Sequence, residues 1–340
     1  MTELSRRTFI KQASAAAFIG SSGLTAKAFA QKTYTLKYAN NLPATHPMNL
    51  RAKEMADKIA AESKGLVSIR LFPNSQLGTD TDVLAQVRAG AVDFFMLSPL
   101  ILGTLIGDVQ LSNVGFAFGN YDQVWAAMDG KLGAYVRDKI ATRSNLFAFE
   151  NIWDNGYRNV TTKEKPVRTP QDLAGRKIRV MPSAMSISVF RAFGASPVSI
   201  NWSETYSALQ TNVVEGQENP LAVLSTAKIY EVQNYCSLTR HVWDGFWCIG
   251  NRKSFERLPA DLQEIVRRNV NEAGLNQRKD LQTLNVSLEQ ELKAQGMKFN
   301  DTEQAAFQAQ LREAGFYAEW RKKFGDQAWG LLEEYAGRLA

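Results

Sequence analysis

The stretch VSIRLFPNSQLGTDTDVLAQVRAGAVDFFML (residues 67–97) decides the fold of this chain, because it passes from a strand pattern to a helix pattern and back. Pro73-Asn74 ends the first strand, and Gly90 separates the helix from a second, continuously apolar strand. The predicted elements are a strand at Val67–Phe72, a helix at Asp80–Ala89 and a strand at Val92–Leu97. Upstream, a strand over Tyr34–Tyr38 and a helix over Met48–Glu62 complete a βαβαβ unit. Apolar strands that alternate with helices predict a sheet covered on both faces.

A second α/β unit follows in the middle of the chain. Thr169-Pro170 is typical of a helix start, with threonine as the N-cap and proline in the first turn. The further predicted elements are a strand at Lys177–Val180, a helix at Ser183–Phe193, a strand at Pro197–Ile200, a helix capped by Ser203 and running to about Thr211, a strand at Val213–Gln217 and a strand at Trp243–Ile249. Residues 259–295 then form one long helical pattern, roughly 50 Å at 1.5 Å per residue, which we expect to run across both units. Two or three amphipathic helices finish the chain.

The N-terminus has the pattern of an export signal. A basic segment contains the pair Arg6-Arg7, a mildly apolar stretch follows, and Ala28-Phe29-Ala30 offers a small-x-small cleavage motif. The arginine pair indicates a twin-arginine signal, cleaved near Ala30, and hence a periplasmic protein. An ordinary amphipathic N-terminal helix is the alternative. Four basic residues and one acidic residue lie in residues 1–30, so +3 of the total charge of +6 remains on the mature protein.

Composition and motifs exclude several classes of function. Basic residues are scattered rather than clustered, which argues against a nucleic-acid partner, and no later segment is long and apolar enough for a membrane-embedded protein. No phosphate-binding glycine loop or nucleophile elbow is present, so we predict no enzyme, no cofactor and no metal site. We expect His46 and His241 to be polar surface or loop residues. Cys236 and Cys248 could pair in an oxidising compartment, but their apolar surroundings favour two free core thiols.

Two arginines stand out as candidate ligand-binding residues. Arg179 ends the strand before Met181-Pro182, and ligands of open α/β sheets bind beyond the carboxyl ends of strands. A guanidinium there can hold a carboxylate through two parallel hydrogen bonds. Arg158 lies near the expected crossing between the two units. The polar turn Gly216-Gln217-Glu218-Asn219-Pro220 offers amide groups for hydroxyls, and aromatic residues flank Asp244 in residues 243–247.

Several of these segments together resemble the dicarboxylate-binding (DctP) type of periplasmic solute-binding protein that serves tripartite ATP-independent periplasmic (TRAP) transporters. The stretches that carry the resemblance are Phe72–Gly78, Gly175–Val180, Gly194–Pro197, Tyr206–Thr211, Val214–Pro220 and Tyr230–Gln233. The similarity runs through essentially the whole mature chain. The resemblance implies an α/β, periplasmic-binding-protein-like fold with two α/β lobes joined by hinge strands and a long spanning helix. The expected lobes are residues 31–155 with 245–284, and residues 156–244 with 285–340.

The resemblance also implies a set of cleft residues. Arg179 matches the family's carboxylate-binding arginine, Arg158 a second arginine of the cleft and Asn219 a ligand-bonding asparagine. By position in the motifs, Asn41, Asp80, Ser98, Trp202 and Phe246 should line the cleft too. Sialic-acid-binding members have acidic and basic residues where this chain has Ser98 and Ile101, which argues against a nine-carbon sugar. From the aromatic and acidic pattern we add Trp153, Trp243 and Asp244 to the expected site.

The sequence therefore predicts a monomeric periplasmic receptor that delivers a small organic acid to the membrane subunits of a TRAP transporter. Because acidic side chains accompany the two arginines, we expect a single carboxylate on a four- to six-carbon sugar acid or hydroxy acid. A periplasmic sensory protein for an aromatic or keto acid is the alternative, since its fold would be the same. A secreted enzyme is a third possibility, which the missing catalytic motifs disfavour.

Overall fold

The computed structural model describes residues 32–339, and its helices and strands alternate through most of that length. The strands are β1 (Tyr34–Ala39), β2 (Val67–Phe72), β3 (Phe94–Leu97), β4 (Leu146–Ala148), β5 (Trp153–Thr162), β6 (Lys177–Val180), β7 (Ser196–Ser199), β8 (Gly216–Asn219), β9 (Tyr235–Asn251) and β10 (Lys298–Asp301). The α-helices are α1 (Pro47–Glu62), α2 (Asp80–Ala89), α3 (Pro99–Leu102), α4 (Tyr121–Met128), α5 (Lys131–Arg143), α6 (Ala184–Ala192), α7 (Trp202–Gln210), α8 (Leu221–Thr226), α9 (Arg252–Glu256), α10 (Ala260–Ala294), α11 (Gln304–Glu313), α12 (Phe316–Phe324) and α13 (Asp326–Ala336). Short 3₁₀ helices cover Gly107–Asn113, Pro170–Leu173 and Ile229–Glu231. The predicted export signal lies outside the described residues.

The strands form two parallel groups that are joined by antiparallel strands. The order along the sheet is β2-β1-β3-β9-β5-β8-β6-β7, with β4 and β10 paired to β9. Strands β1, β2 and β3 run parallel to one another, and so do β6, β7 and β8, whereas β9 pairs antiparallel with β3 and β5. Parallel neighbours need helical crossovers, which gives each group its covering helices. The predicted pair of α/β units joined by hinge strands is therefore confirmed.

The two joining strands are irregular where they run together. Strand β9 pairs with β10 and β5 along its first part and with β3 and β4 along its last part. Its register with β5 shifts twice, between Asp154 and Gly156 and between Arg158 and Val160. Such bulges bend a strand and redirect its side chains. They lie in the segment that passes from one half of the molecule to the other.

Helix α10 connects the two halves, as its length predicts. It packs against α1 of the first half and against α8 and β5. Arg51 of α1 binds Asp280 through two hydrogen bonds of 2.5 and 2.8 Å, and further along the helix Leu281 and Leu288 pack on Ala222 of α8. The boundaries of the two lobes stay a prediction. Helix α13, which the predicted boundaries place in the second lobe, packs against α4 and α5, which they place in the first.

Local sequence signals explain most of the element boundaries. Thr79 and Asp82 form a capping box at the start of α2, and Gly90 ends that helix with φ 78°, a left-handed conformation that suits glycine. Two predictions were wrong in detail. Asn201, not Ser203, is the N-cap of α7, and the polar segment Gly216–Asn219 is itself a buried strand rather than a turn after one.

Buried residues correct one expectation and confirm another. Both histidines are buried, so a surface position was wrong for either: His46 lies in the loop before α1 and caps that helix by accepting a hydrogen bond from the backbone of Met48, and His241 lies in strand β9. Cys236 and Cys248 are free and buried, as predicted. Among residues 32–339, no helix has both the length and the apolar character that a membrane crossing requires.

Candidate functional site

A small cavity lies where the two halves meet. It is lined by Asn41, Leu42, Asp80, Ser98, Ile101, Asn155, Arg158, Arg179, Met181, Trp202, Asn219, Val223 and Phe246. The lining comes from the segments that follow β1 and β3 in one half, from the ends of β6 and β8 in the other, and from the joining strands β5 and β9. This is the edge of parallel sheets at which ligands usually bind. The cavity volume is about 20 Å³, which is enough for one water molecule but not for an organic acid.

Arg179 presents hydrogen-bond donors to this cavity that no protein group uses. Its Nε donates to the carbonyl of Ile200 at 2.9 Å, and its two terminal nitrogens make no hydrogen bond to any other residue in the described part of the chain. The guanidinium carbon lies 5.6 Å from the ring centroid of Trp202. Burial lowers the pKa of Arg179 to about 10, a shift that Glu218 and Asp80 partly oppose, so it stays charged at neutral pH. The arrangement suits a carboxylate that accepts two parallel hydrogen bonds.

Arg158, in contrast, is already neutralised by protein carboxylates. Its Nε contacts Glu218, its Nη2 donates to the other oxygen of Glu218 at 2.8 Å, and its Nη1 donates to Asp244 at 2.8 Å. Burial alone would lower the pKa of Arg158, but the two carboxylates raise it overall. The charge of Arg158 and the contact with His241 together outweigh the effect of burial on Glu218 and hold the pKa of that carboxyl at about 2. Arg158 and Glu218 therefore form a closed ion pair within the site wall.

Asp80 is the acidic residue of the cavity. It is 5% exposed, and it accepts a hydrogen bond from Asn41 Nδ2 at 2.9 Å. Burial raises the pKa of Asp80 from 3.8 to about 6, although the bond from Asn41 and the charge of Arg179 oppose that shift. The carboxylate is thus mostly ionised at neutral pH and offers hydrogen-bond acceptors to a ligand.

Two other polar residues of the lining are occupied by protein partners. Ser98 Oγ donates to Asp244 at 2.6 Å and accepts from the backbone of Leu100. Asn219 donates to Gln217 at 2.6 Å and accepts from Arg158 at 3.1 Å. Their hydrogen bonds hold the wall in place and leave little capacity for a ligand.

The structure brings together eight of the eleven predicted residues at the cavity: Asn41, Asp80, Ser98, Arg158, Arg179, Trp202, Asn219 and Phe246. The other three lie elsewhere, because their side chains are used in the interior. Trp153 is packed against helix α10, close to Gly274. Trp243 donates to Asp154 at 2.9 Å within the core, and Asp244 lies behind the lining, where it binds Arg158 and Ser98.

Sequence reasoning missed three polar residues of the site region. Asn155 lines the cavity, Glu218 pairs with Arg158, and His241 Nε2 lies 3.3 Å from Glu218. Glu218 stood in the quoted polar segment directly before Asn219, so its position next to a candidate residue was the available signal. No comparable signal existed for His241, which comes from a distant part of the chain.

Comparison with known proteins identifies related chains over most of this length. The sequence model of bacterial extracellular solute-binding protein family 7 (DctP) matches residues 38–322. The chain is 32% identical over 246 residues to the 2,3-diketo-L-gulonate-binding periplasmic protein YiaO of Escherichia coli (strain K12), a match that covers 72% of this chain and 74% of that protein.

Two solved structures of TRAP periplasmic solute binding proteins show the same fold. The protein from Pseudomonas putida F1 with bound D-glucuronate is 29% identical, with a TM-score of 0.83, and the match covers 90% of this chain and 98% of that one. The protein from Sulfurospirillum deleyianum DSM 6946 with bound succinate is also 29% identical, with a TM-score of 0.83 and coverage of 90% and 99%.

Proposed function

Because this chain belongs to bacterial extracellular solute-binding protein family 7, we propose that it is the periplasmic receptor of a TRAP transporter for a compact, hydroxylated monocarboxylate. The ligand class is a four- to six-carbon sugar acid or hydroxy acid. The protein binds it between the two halves, returns it chemically unchanged and delivers it to the membrane subunits of the transporter.

One observation carries this proposal: of the two cavity arginines, only Arg179 has terminal nitrogens without a protein partner. Arg158 is paired with Glu218 and Asp244, so the site supplies one open cation and suits one ligand carboxylate. A second carboxylate would face Asp80 and lose its hydration without compensation. The E. coli relative named for 2,3-diketo-L-gulonate and the P. putida protein with D-glucuronate support a sugar acid, whereas the S. deleyianum protein with succinate represents the dicarboxylate rival.

The small cavity supports a hinged mechanism. A volume of about 20 Å³ cannot hold a four-carbon acid, so the walls must separate before a ligand enters. The two register shifts in β5 and the shared helix α10 are the elements about which such a motion would occur. We assign the lobes as residues 31–155 with 245–284 and residues 156–244 with 285–340.

The cellular part of the proposal comes from the N-terminus. A twin-arginine signal cleaved near Ala30 would export the folded protein, which would then act in the periplasm as a monomer. Genes for transporter membrane subunits next to the gene of this chain would distinguish this role from that of a periplasmic sensory protein.

The proposal is tested by calorimetry on wild-type protein and on Arg179→Ala. Loss of one partner from a buried charge pair costs about 2–5 kcal/mol, so the variant should bind hydroxylated monocarboxylates at least about thirtyfold more weakly. Lys177→Ala is the matched control, because Lys177 is an exposed cation on the same strand. Arg179→Lys keeps the charge but loses the paired geometry and should give an intermediate loss.

The ligand panel separates the rivals. It contains D-glucuronate, D-galactonate, D-gluconate and D-erythronate, set against succinate, substituted benzoates and branched 2-keto acids. Wild-type affinity in a folded Arg179→Ala protein would disprove the carboxylate anchor. Tight binding of succinate alone, or of benzoates alone, would disprove the ligand class while leaving a receptor role in place.

A further inference from the structure

Asn155 reaches the cavity because strand β5 is bulged at this position. Asp154 pairs with Gly245 and Gly156 pairs with Asp244, so Asn155 is an extra residue without a partner in the ladder. In a regular strand, residues three apart point to opposite faces. The extra residue cancels that alternation, and Asn155 and Arg158 both line the cavity. Gly156, with φ 109°, provides the backbone conformation that this bulge requires.

The amide of Asn155 is oriented by its neighbour. Its Nδ2 donates to Asp244 Oδ2 at 3.3 Å, and because the same oxygen accepts from Arg158 Nη1 at 2.8 Å it acts as an acceptor, so the amide nitrogen is fixed on that side. The opposite atom, Oδ1, is buried and accepts no hydrogen bond, and the whole residue is 1% exposed. Buried acceptors in proteins are rarely left without a donor.

Asn41, which follows β1, has the same arrangement. Its Nδ2 donates to Asp80 Oδ2 at 2.9 Å, and its Oδ1 is buried without a hydrogen-bond partner. Two amides that line one cavity thus each turn their nitrogen to a carboxylate and keep their oxygen unused. The site combines open donors on Arg179 with open acceptors on Asn41 and Asn155.

We propose that Asn155, acting with Asn41, is a specificity-determining residue that requires a hydroxyl donor on the ligand. This inference rests on the proposed function and deepens it. An acid with a hydroxyl at the contacted carbon donates to Asn155 Oδ1. An acid with a methylene or an oxo group at that carbon leaves the buried oxygen unpaired and binds about ten- to a hundredfold more weakly.

The test is a cycle that changes the protein and the ligand separately. The probe is whichever of D-galactonate, D-gluconate, D-glucuronate and D-erythronate binds wild-type protein most tightly, together with each of its monodeoxy analogues. At least one analogue should bind wild-type protein about tenfold or more weakly than the parent acid. In Asn155→Ala, the parent should weaken by a similar factor, and that same analogue should lose little further affinity.

Asn113→Ala is the matched control. Asn113 also donates its amide to Asp244, at 3.3 Å, but it does not line the cavity. The control therefore loses a hydrogen bond to Asp244 without losing a cavity acceptor, and its ratio of parent to analogue affinity should equal that of wild type.

The outcomes distinguish this inference from the proposed function. If the ratio of parent to analogue affinity is the same in wild type and in folded Asn155→Ala for every analogue, the proposed role of Asn155 is overturned. The receptor assignment would still stand in that case, provided that Arg179→Ala weakens binding as expected. A change of the ratio in Asn113→Ala as large as in Asn155→Ala would show that Asp244, not the amide oxygen, sets the preference. Failure of all four acids to bind wild-type protein would overturn the inference and the ligand class together.

Discussion

Replacing Asp80 with asparagine should stabilise the ligand-free protein while weakening ligand binding. Asp80 is buried at the first residue of α2, and its carboxylate faces the cavity with a single amide donor, Asn41. Asparagine has nearly the same shape but carries no charge. The variant therefore removes the cost of a buried carboxylate and, at the same time, an acceptor that we assign to the ligand.

The magnitude follows from the pKa of Asp80, which burial raises from 3.8 to about 6. Well below pH 3.8 the group is protonated in both the folded and unfolded states and costs nothing. Between pH 3.8 and about 6 the unfolded chain releases its proton while the folded protein keeps it, so the wild-type protein loses stability over this window. A shift of about two pKa units corresponds to about 3 kcal/mol at neutral pH.

The assay is urea unfolding of both proteins without ligand at pH 4, 5, 6 and 7.5. The difference in unfolding free energy should rise from about 0.5 kcal/mol at pH 4 to about 3 kcal/mol in favour of Asp80→Asn at pH 7.5. Taking the difference removes the contribution of groups that titrate equally in both proteins. Asp82→Asn, in the same turn, is the control. Hydrogen bonds from Thr79 lower the pKa of the exposed Asp82, so that substitution should destabilise the protein at neutral pH.

Two results would refute this reasoning. An Asp80→Asn protein no more stable than wild type at pH 7.5 would mean that burial of the charge is compensated. An advantage of equal size at pH 4 and pH 7.5 would mean that the effect comes from packing rather than ionisation. Unchanged affinity for hydroxylated acids would separately remove Asp80 from the proposed site.

Three further predictions concern the ion pair, the hinge and export. Arg158→Ala should lower the free energy of unfolding by about 3–5 kcal/mol, because it removes the buried cation that Glu218 and Asp244 share; urea unfolding measures this, and a loss below 1 kcal/mol would contradict a buried pair of that strength. The ligand-free protein should open in solution to admit a ligand and close again around it, so saturating ligand should reduce the radius of gyration in small-angle scattering; identical curves with and without ligand would indicate a rigid site. Replacing Arg6 and Arg7 together with lysine should leave folded precursor in the cytoplasm, as judged by fractionation, whereas normal periplasmic levels would rule out the twin-arginine route.

The sequence alone determined the alternation of strands and helices and the long helix that spans both halves. These features depend on neighbouring residues: a period of two or 3.6 in apolar side chains, proline after a strand, and glycine after a helix. The same reasoning located Arg179 at the end of β6, because a strand that stops at Met181-Pro182 places its last residues at the sheet edge. Local patterns were sufficient for the features that depend on a single helix or strand.

Only the tertiary structure decided which polar groups remain open to a ligand. Arg158 and Arg179 were both candidate ligand-binding residues from the sequence, yet Glu218 and Asp244, which lie 60 and 86 residues from Arg158 along the chain, pair only with Arg158. Trp153 and Trp243 likewise belong to the core rather than to the cavity. The bulge that turns Asn155 toward Arg158 depends on the register of β5 against β9, which no local pattern specifies. Burial, charge compensation and register depend on contacts between residues far apart in the chain, so they are settled only when the two halves are packed together.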